Sequence, residues 1–148
     1  MNWLVDTNVL LRIAQPTHPM HGDASRSLAQ IPKSGDHLRI IPQNLIEFWA
    51  VATRAIKENG LGITPKHAAD ELLKFKKLFA LMPDHAEIFS KWEQLVIKHN
   101  VSGKQAHDAR IVAAMLVHDL SHLLTFNDRD FKRFSEITVV NPQDITEE

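Results

Sequence analysis

The chain has 148 residues, of which 44% are hydrophobic and 24% are charged, which is typical of one globular domain spanning residues 1–148. It has no cysteine, which excludes disulfides, thiolate metal ligands and nucleophilic thiols. A formal net charge of -1 means that nucleic-acid binding would need a local basic patch. No apolar run approaches the ~18 residues of a membrane span, and no basic leader is present. We therefore expect a cytoplasmic protein with no membrane partner.

The first element is a short apolar strand that ends in a carboxylate. Trp3-Leu4-Val5 is too short for a helix, and Asp6-Thr7-Asn8 separates it from apolar residues at helical spacing. This pattern predicts a strand, a cap and a helix in that order. Asp6 would then lie at the C-terminal end of a strand, where open α/β sheets bind ligands. Asp6 could also serve only as the cap of the helix.

The later segments alternate between helices and short strands. Helices are predicted over about 23–31, 43–57 and 106–118, and strands over 38–41, 121–125 and 137–140. Two further helices between about 64 and 99 are predicted to form an αα-hairpin over the α/β part. Because the strands are short and uniformly apolar, they favour a mostly parallel sheet covered by helices on both faces.

The helix predicted over 43–57 contains one isolated acid. Glu47 has no other charged residue among the four before it or the six after it. An ionised carboxylate on an apolar face is costly unless it is paired or bound to a cation. Glu47 is therefore a candidate metal ligand. The alternatives are an ion pair with Arg54 and an edge position that reaches solvent.

Further acids follow near the C-terminus of the chain. Asp108 falls in the first turn of the helix over 106–118, beside its buried stripe, where a negative charge also complements the helix dipole. Asp128 and Asp130 follow the strand over 121–125. Each could instead cap or stabilise a local turn, and for Asp130 we favour such a role or an ion pair with a neighbouring arginine.

Several acids that meet at one edge of a sheet repel each other unless a cation neutralises them. Oxygen ligands without cysteine favour Mg²⁺ or Mn²⁺ over Zn²⁺. Such a site suits phosphodiester hydrolysis, because the metal activates and orients a water and stabilises the leaving oxygen. A zinc enzyme is disfavoured, because His118 and His122 lack a metalloprotease pattern.

Four segments resemble, in this order, the PIN-domain ribonucleases, and among these the chain is most similar to the bacterial VapC type, the toxin half of toxin-antitoxin pairs. They are Leu4-Val5-Asp6-Thr7-Asn8-Val9-Leu10-Leu11, Leu45-Ile46-Glu47-Phe48, His107-Asp108-Ala109-Arg110-Ile111-Val112-Ala113-Ala114 and Leu124-Thr125-Phe126-Asn127-Asp128-Arg129-Asp130-Phe131. The resemblance covers about residues 1–141. It implies a PIN-like three-layer α/β sandwich with Mg²⁺- or Mn²⁺-dependent endoribonuclease activity.

The resemblance also assigns site residues. Asp6, Glu47 and Asp108 match the family's three most regular acidic positions. The fourth acid falls on Asn127 when counted from Thr125 and nearer Asp128 when counted back from the phenylalanine that follows. We choose Asp128 as the fourth catalytic and metal-binding acid and hold Asp130 in reserve. The supporting polar residues are Asn8, Thr125 and Asn127.

The implied partners are an RNA substrate, a cognate antitoxin and a second copy of the chain in a homodimer. Arg54, Lys104 and Arg110 are candidate phosphate contacts near the expected mouth of the site. The alternative function is a PIN-like module that binds RNA or protein without catalysis.

Overall fold

The computed structural model describes residues 1–147, and in this part of the chain five strands form a parallel sheet in the order β3-β2-β1-β4-β5. They are β1 (Asn2–Val5), β2 (His37–Ile40), β3 (Ala80–Leu81), β4 (His122–Leu124) and β5 (Thr138–Val140). Central β1 pairs with β2 on one side and with β4 on the other. The chain therefore builds the sheet outward in one direction and then returns to the other side of β1. This places a topological switch point between β1 and β4.

Seven α-helices connect the strands within the described residues: α1 (Thr7–Ile13), α2 (His21–Lys33), α3 (Pro42–Thr53), α4 (Pro65–Leu78), α5 (Ile88–Lys98), α6 (Gln105–Val117) and α7 (Asp128–Phe131). Short 3-10 turns occupy Ile56–Glu58 and Pro142–Asp144. The Thr64 hydroxyl caps α4 by accepting a hydrogen bond from the backbone of His67, as a threonine before Pro65 predicts. None of the helices in residues 1–147 is long and apolar enough to span a bilayer.

Each face of the sheet carries its own apolar core. Helices α1 to α4 cover one face, where the rings of Phe48 and Phe75 meet edge to face at 5.0 Å. Helices α5 to α7 cover the other face. Successive strand residues point to opposite cores, so that Val5 packs in the first and Leu4 in the second, as the period of a strand requires. The predicted α/β fold is confirmed, with helices on both faces of a parallel sheet.

The prediction of an αα-hairpin at about 64–99 is wrong. α4 packs in the core of one face and α5 in the core of the other, because β3 passes along the edge of the sheet between them. Ala80 and Leu81 pair in parallel with β2, and the backbone of Met82 donates to the carbonyl of Ile40 at 2.8 Å. A two-residue strand with both side chains exposed has no periodicity that a sequence pattern could reveal.

Candidate active site

Asp6 follows β1 at the carboxyl edge of the sheet and is only 5% exposed. Its Oδ1 accepts a hydrogen bond from the backbone of Thr7 at 2.8 Å, so the carboxylate does cap α1. Its Oδ2 accepts one from the hydroxyl of Thr125 at 2.8 Å, and Thr125 follows β4 on the neighbouring strand. The cap therefore uses one oxygen only, and the other ties Asp6 across the switch point.

Asn8 holds these two strand ends together. Its amide donates to the Thr125 hydroxyl at 3.0 Å and lies 3.4 Å from Oδ2 of Asp6. The side-chain carbonyl oxygen of Asn8 accepts a hydrogen bond from the backbone N–H of Phe126 at 3.1 Å. The Thr125 hydroxyl in turn accepts the backbone N–H of Asn127 at 3.0 Å. Of the predicted supporting residues, Asn8 and Thr125 therefore bond to the Asp6 carboxylate, whereas the structure brings Asn127 in by its backbone.

An open cavity of about 720 Å³ lies at this edge of the sheet. Its lining includes three acidic side chains of the described chain that interact electrostatically with Asp6 or with each other. They are Glu47 from α3, Asp108 from the first turn of α6 and Asp130 from α7. Asp6 is buried and is not part of the lining. Because a helix that connects parallel strands runs back against them, α6 begins at the carboxyl edge and delivers Asp108 there.

Burial and, to a lesser degree, mutual repulsion disfavour the charged forms of the acids. Burial raises the pKa of Asp6 to about 6, although hydrogen bonds from Thr125 and Thr7 oppose it, and the charges of Glu47 and Asp130 raise the pKa further. A carboxyl group with an ordinary environment titrates near 4. Asp6 therefore sits in a place that disfavours its charge unless a cation is near.

The other acids respond in the same direction. Burial raises the pKa of Asp108 to about 6, and the charges of Asp6 and Asp130 add to the effect. Burial likewise raises the pKa of Glu47, with the charge of Asp108 adding to it. The Oε1 atom of Glu47 is fully enclosed and has no hydrogen-bond partner among the described residues. The alternative of an ion pair between Glu47 and Arg54 is not found among the ion pairs of the described residues.

Asp128, our choice for the fourth acid, lies elsewhere. Its carboxylate accepts a hydrogen bond from the amide of Asn141 at 3.3 Å and does not line the cavity. Asp130, which was held in reserve, lines the cavity and interacts with both Asp6 and Asp108. The difference arises because α7 begins at Asp128, and two residues along a helix turn the side chain by about 200°.

Two of the three candidate phosphate contacts reach the cavity. Lys104 and Arg110 line it, whereas Arg54 is the C-terminal cap of α3, exposed and outside the lining. Arg110 donates to Oε1 of Gln43 at 3.0 Å and lies 3.4 Å from the carboxylate of Asp84. The positive charge therefore sits on the rim of the acidic cavity.

Gln43 is a site residue that the sequence interpretation missed. It is 9% exposed, donates to the backbone carbonyl of His107 at 2.9 Å and accepts from Arg110. It thereby joins the start of α3 to the first turn of α6. The available signal was its position four residues before Glu47, which places both on one face of a helix.

The donor set fits a hard divalent cation. It consists of carboxylate oxygens with raised pKa values, one of which is an enclosed and unpartnered Glu47 oxygen. Within residues 1–147, no three acidic or histidine side chains form a ready-made cage for an ion. Mg²⁺ commonly binds through one or two carboxylates and keeps several waters, so the arrangement suits that mode of binding.

The sequence profile of the PIN domain matches residues 3–137, and the chain belongs to this family. No curated protein sequence matches the chain significantly. Among solved structures, 34 chains match significantly.

The structural relatives include two VapBC proteins and one VapC toxin. VapBC-1 from nontypeable Haemophilus influenzae matches with a TM-score of 0.71 and 13% identity over 97% of this chain and 100% of its own. VapBC2 from Rickettsia felis, bound to a DNA fragment from its promoter, matches with a TM-score of 0.70 and 14% identity over 95% and 98%. The sarcin-ricin loop-cleaving toxin VapC20 from Mycobacterium tuberculosis gives 0.63 and 16% over 82% and 86%. At these identities the likeness establishes the fold.

Proposed function

We propose that the protein is a metal-dependent endoribonuclease that hydrolyses RNA phosphodiester bonds and acts as the toxin of a toxin-antitoxin pair. The observation that carries the proposal is the convergence of four acids, Asp6, Glu47, Asp108 and Asp130, beside an open cavity at the switch point of the sheet. Burial and neighbouring charges raise the pKa values of Asp6, Glu47 and Asp108. Acids whose pKa values are raised by burial and by neighbouring charges are typical of functional sites.

Mg²⁺ or Mn²⁺ is the cofactor that we propose. One or two of the carboxylates of Asp6, Glu47, Asp108 and Asp130 would bind it directly, and the others would bind it through its waters. When bound, such an ion activates a water and stabilises charge on the phosphate. The residues of the chain position the acids. Thr125 and Asn8 fix one carboxylate from two strand ends.

The cations on the rim attract and orient the RNA. Lys104 and Arg110 line the cavity, which supports their role as phosphate contacts, and the exposed Lys104 can follow a phosphodiester chain as a flexible point charge. Gln43 holds the guanidinium of Arg110 and braces the backbone at His107. Arg110 is therefore presented in a defined place, with donors suited to a phosphate.

An antitoxin protein and a homodimer are the further partners that we propose. The antitoxin is supported by the solved relatives from Haemophilus influenzae and Rickettsia felis, which are VapBC proteins. RNA as the substrate is supported by VapC20, which cleaves the sarcin-ricin loop.

The proposal is tested by incubating the purified protein with labelled RNA in Mn²⁺, in Mg²⁺ and in EDTA. We expect cleavage in either metal, none in EDTA, and none for Asp6→Asn in any buffer. Asp70→Asn is the matched control, because it removes one carboxylate charge from the exposed face of α4. Cleavage by Asp6→Asn at the wild-type rate, or in EDTA, contradicts the proposal.

A non-catalytic PIN-like module is the second candidate. The observation that favours it is the lack of a preformed cage of three acidic or histidine side chains in the described part of the chain. Calorimetric titration with Mn²⁺ separates the two functions. Specific binding that Asp6→Asn weakens supports the enzyme, whereas no binding supports the module.

A further inference from the structure

A second concavity opens next to the acidic cavity, on the side of α5. It has a volume of about 430 Å³, which is within the usual range of about 300–1,000 Å³ for small-ligand sites. Its walls combine the apolar and aromatic side chains of α5, including Phe89 and Trp92, with residues at the start of α6. His107 and Arg110 line both concavities. We call this second concavity the aromatic pocket, and it is continuous with the proposed catalytic site.

Two aromatic rings form its wall. Phe89 is 66% exposed, and its ring lies 5.6 Å from that of Trp92 with the two planes 35° apart. The indole N–H of Trp92 donates to the backbone carbonyl of Ala106 at 2.7 Å, which fixes the ring against the start of α6. The indole ring of Trp92 is therefore fixed in place, and the exposed phenyl ring of Phe89 is accessible to a planar ligand.

The charges around the aromatic pocket differ from those of the acidic cavity. The side chains that line it include His85, His107 and Arg110 but no carboxylate. Acidic side chains line the neighbouring cavity instead. A strand with its phosphate near the acids could therefore pass Arg110 and place its next base in a pocket without negative charge. This favours a nucleotide over an acidic peptide.

We propose that the aromatic pocket binds one unpaired base of the RNA, stacked on the face of Phe89, next to the phosphate that is cleaved. This inference rests on the proposed nuclease function, because the acids define where the phosphate lies. It deepens that function by assigning a subsite for one base, which must be unpaired because a base in a helix has no free face to stack. The shared residue Arg110 contacts the phosphate between the two subsites.

The test measures binding separately from cleavage. A labelled single-stranded RNA of about ten nucleotides is titrated in EDTA by fluorescence anisotropy with the wild-type protein, Phe89→Leu and Phe89→Trp. Loss of one stacking contact is expected to weaken binding about five- to tenfold in Phe89→Leu, whereas Phe89→Trp retains wild-type affinity because it keeps an aromatic face. Ile97→Ala is the matched control, as Ile97 is an exposed apolar residue of the same helix outside the pocket.

A set of RNAs with one abasic position each sharpens the test. The wild-type protein is expected to lose affinity at one position only, and Phe89→Leu is expected to be insensitive to that same substitution. Circular dichroism and thermal melting establish that the variants fold, which the exposure of Phe89 favours.

The outcomes separate this inference from the nuclease proposal. RNA binding in EDTA that depends on Phe89, without cleavage in Mn²⁺, contradicts the nuclease and supports the base pocket. Cleavage in Mn²⁺ with unchanged RNA affinity in Phe89→Leu overturns the base pocket alone. If Phe89→Leu leaves RNA binding intact but weakens a complex with a co-expressed protein partner, the pocket binds protein and the inference is overturned.

Discussion

Replacing Asp6 with asparagine removes a buried charge that destabilises the metal-free protein. Burial and neighbouring acids raise the pKa of Asp6 from 3.8 to about 6. An acid whose pKa is higher in the folded than in the unfolded state destabilises the protein above its unfolded pKa, so stability rises as the pH falls through 6 toward 4. Asp6→Asn abolishes this dependence because an amide does not titrate.

The size of the effect follows from the shift. About two pKa units correspond to about 3 kcal/mol for the fully ionised group, and about half of that develops between pH 5 and pH 8. The amide can still accept the backbone N–H of Thr7, whereas the Thr125 hydroxyl loses its carboxylate acceptor, at a cost of about 1 kcal/mol. We therefore expect Asp6→Asn to be about 2 kcal/mol more stable than wild type at pH 8 and nearly equal at pH 5.

Urea denaturation in EDTA at pH 5, 6, 7 and 8 measures this difference. The free energy of unfolding of the variant relative to wild type is expected to rise by about 1 to 2 kcal/mol across the range. Asp70→Asn, which removes an exposed charge, provides the baseline. A difference that stays constant from pH 5 to pH 8 would refute the reasoning, because it would mean that Asp6 is not a buried, repelled carboxylate.

Three other changes test separate parts of the account. Asp130→Asn is expected to weaken calorimetric Mn²⁺ binding about tenfold or more and Asp128→Asn hardly at all; equal effects contradict the choice of Asp130. Arg110→Gln is expected to reduce by about 0.7 the magnitude of the slope of log RNA affinity against log salt concentration. Lys76→Gln, on the exposed face of α4, is expected to leave that slope unchanged. Burial favours the neutral form of Glu136, yet hydrogen bonds from a histidine and a lysine outweigh it and hold its pKa at about 2. Glu136→Gln is therefore expected to be about 1 kcal/mol less stable than wild type at pH 7. In urea denaturation, this difference in the free energy of unfolding shrinks as the pH falls from 5 to 3. A difference that stays constant argues against a hydrogen-bonded carboxylate at Glu136.

The carboxyl edge of the sheet was predictable because strand ends have clear signals. Asp6 follows an apolar run and Glu47 is an isolated charge in an apolar helix, and both lie where the pattern places them. Asp108 follows from the rule that a connecting helix begins at the carboxyl edge of a parallel sheet. These inferences need only local periodicity and the topology of parallel strands.

The choice between Asp128 and Asp130 needed information that the sequence does not carry. Both acids lie in one four-residue helix, and its exact first residue decides which side chain turns toward the cavity. Helix ends are the least defined feature of a sequence pattern. The hydrogen bond between Asp128 and Asn141 is a long-range contact, and local periodicity does not reveal it.

The path of the chain between α4 and α5 could not be predicted from the sequence, for a different reason. The edge strand β3 is held by backbone pairing with β2, which is independent of side-chain identity. Its two exposed residues, Ala80 and Leu81, continue the apolar run at the end of α4, so the sequence does not mark where the helix ends and the strand begins. The aromatic pocket depends on this path, because it sets α5 and Phe89 on the face of the sheet that carries α6.

The most direct test of the account is the metal dependence of RNA cleavage by the wild-type protein beside Asp6→Asn and Asp70→Asn. We expect wild type and Asp70→Asn to cleave RNA in Mn²⁺, with activity restored after EDTA by excess Mn²⁺. Asp6→Asn is expected to remain folded and to cleave no RNA. Cleavage that persists in EDTA, or that Asp6→Asn retains, would show that the acids at the end of β1 do not form the active site.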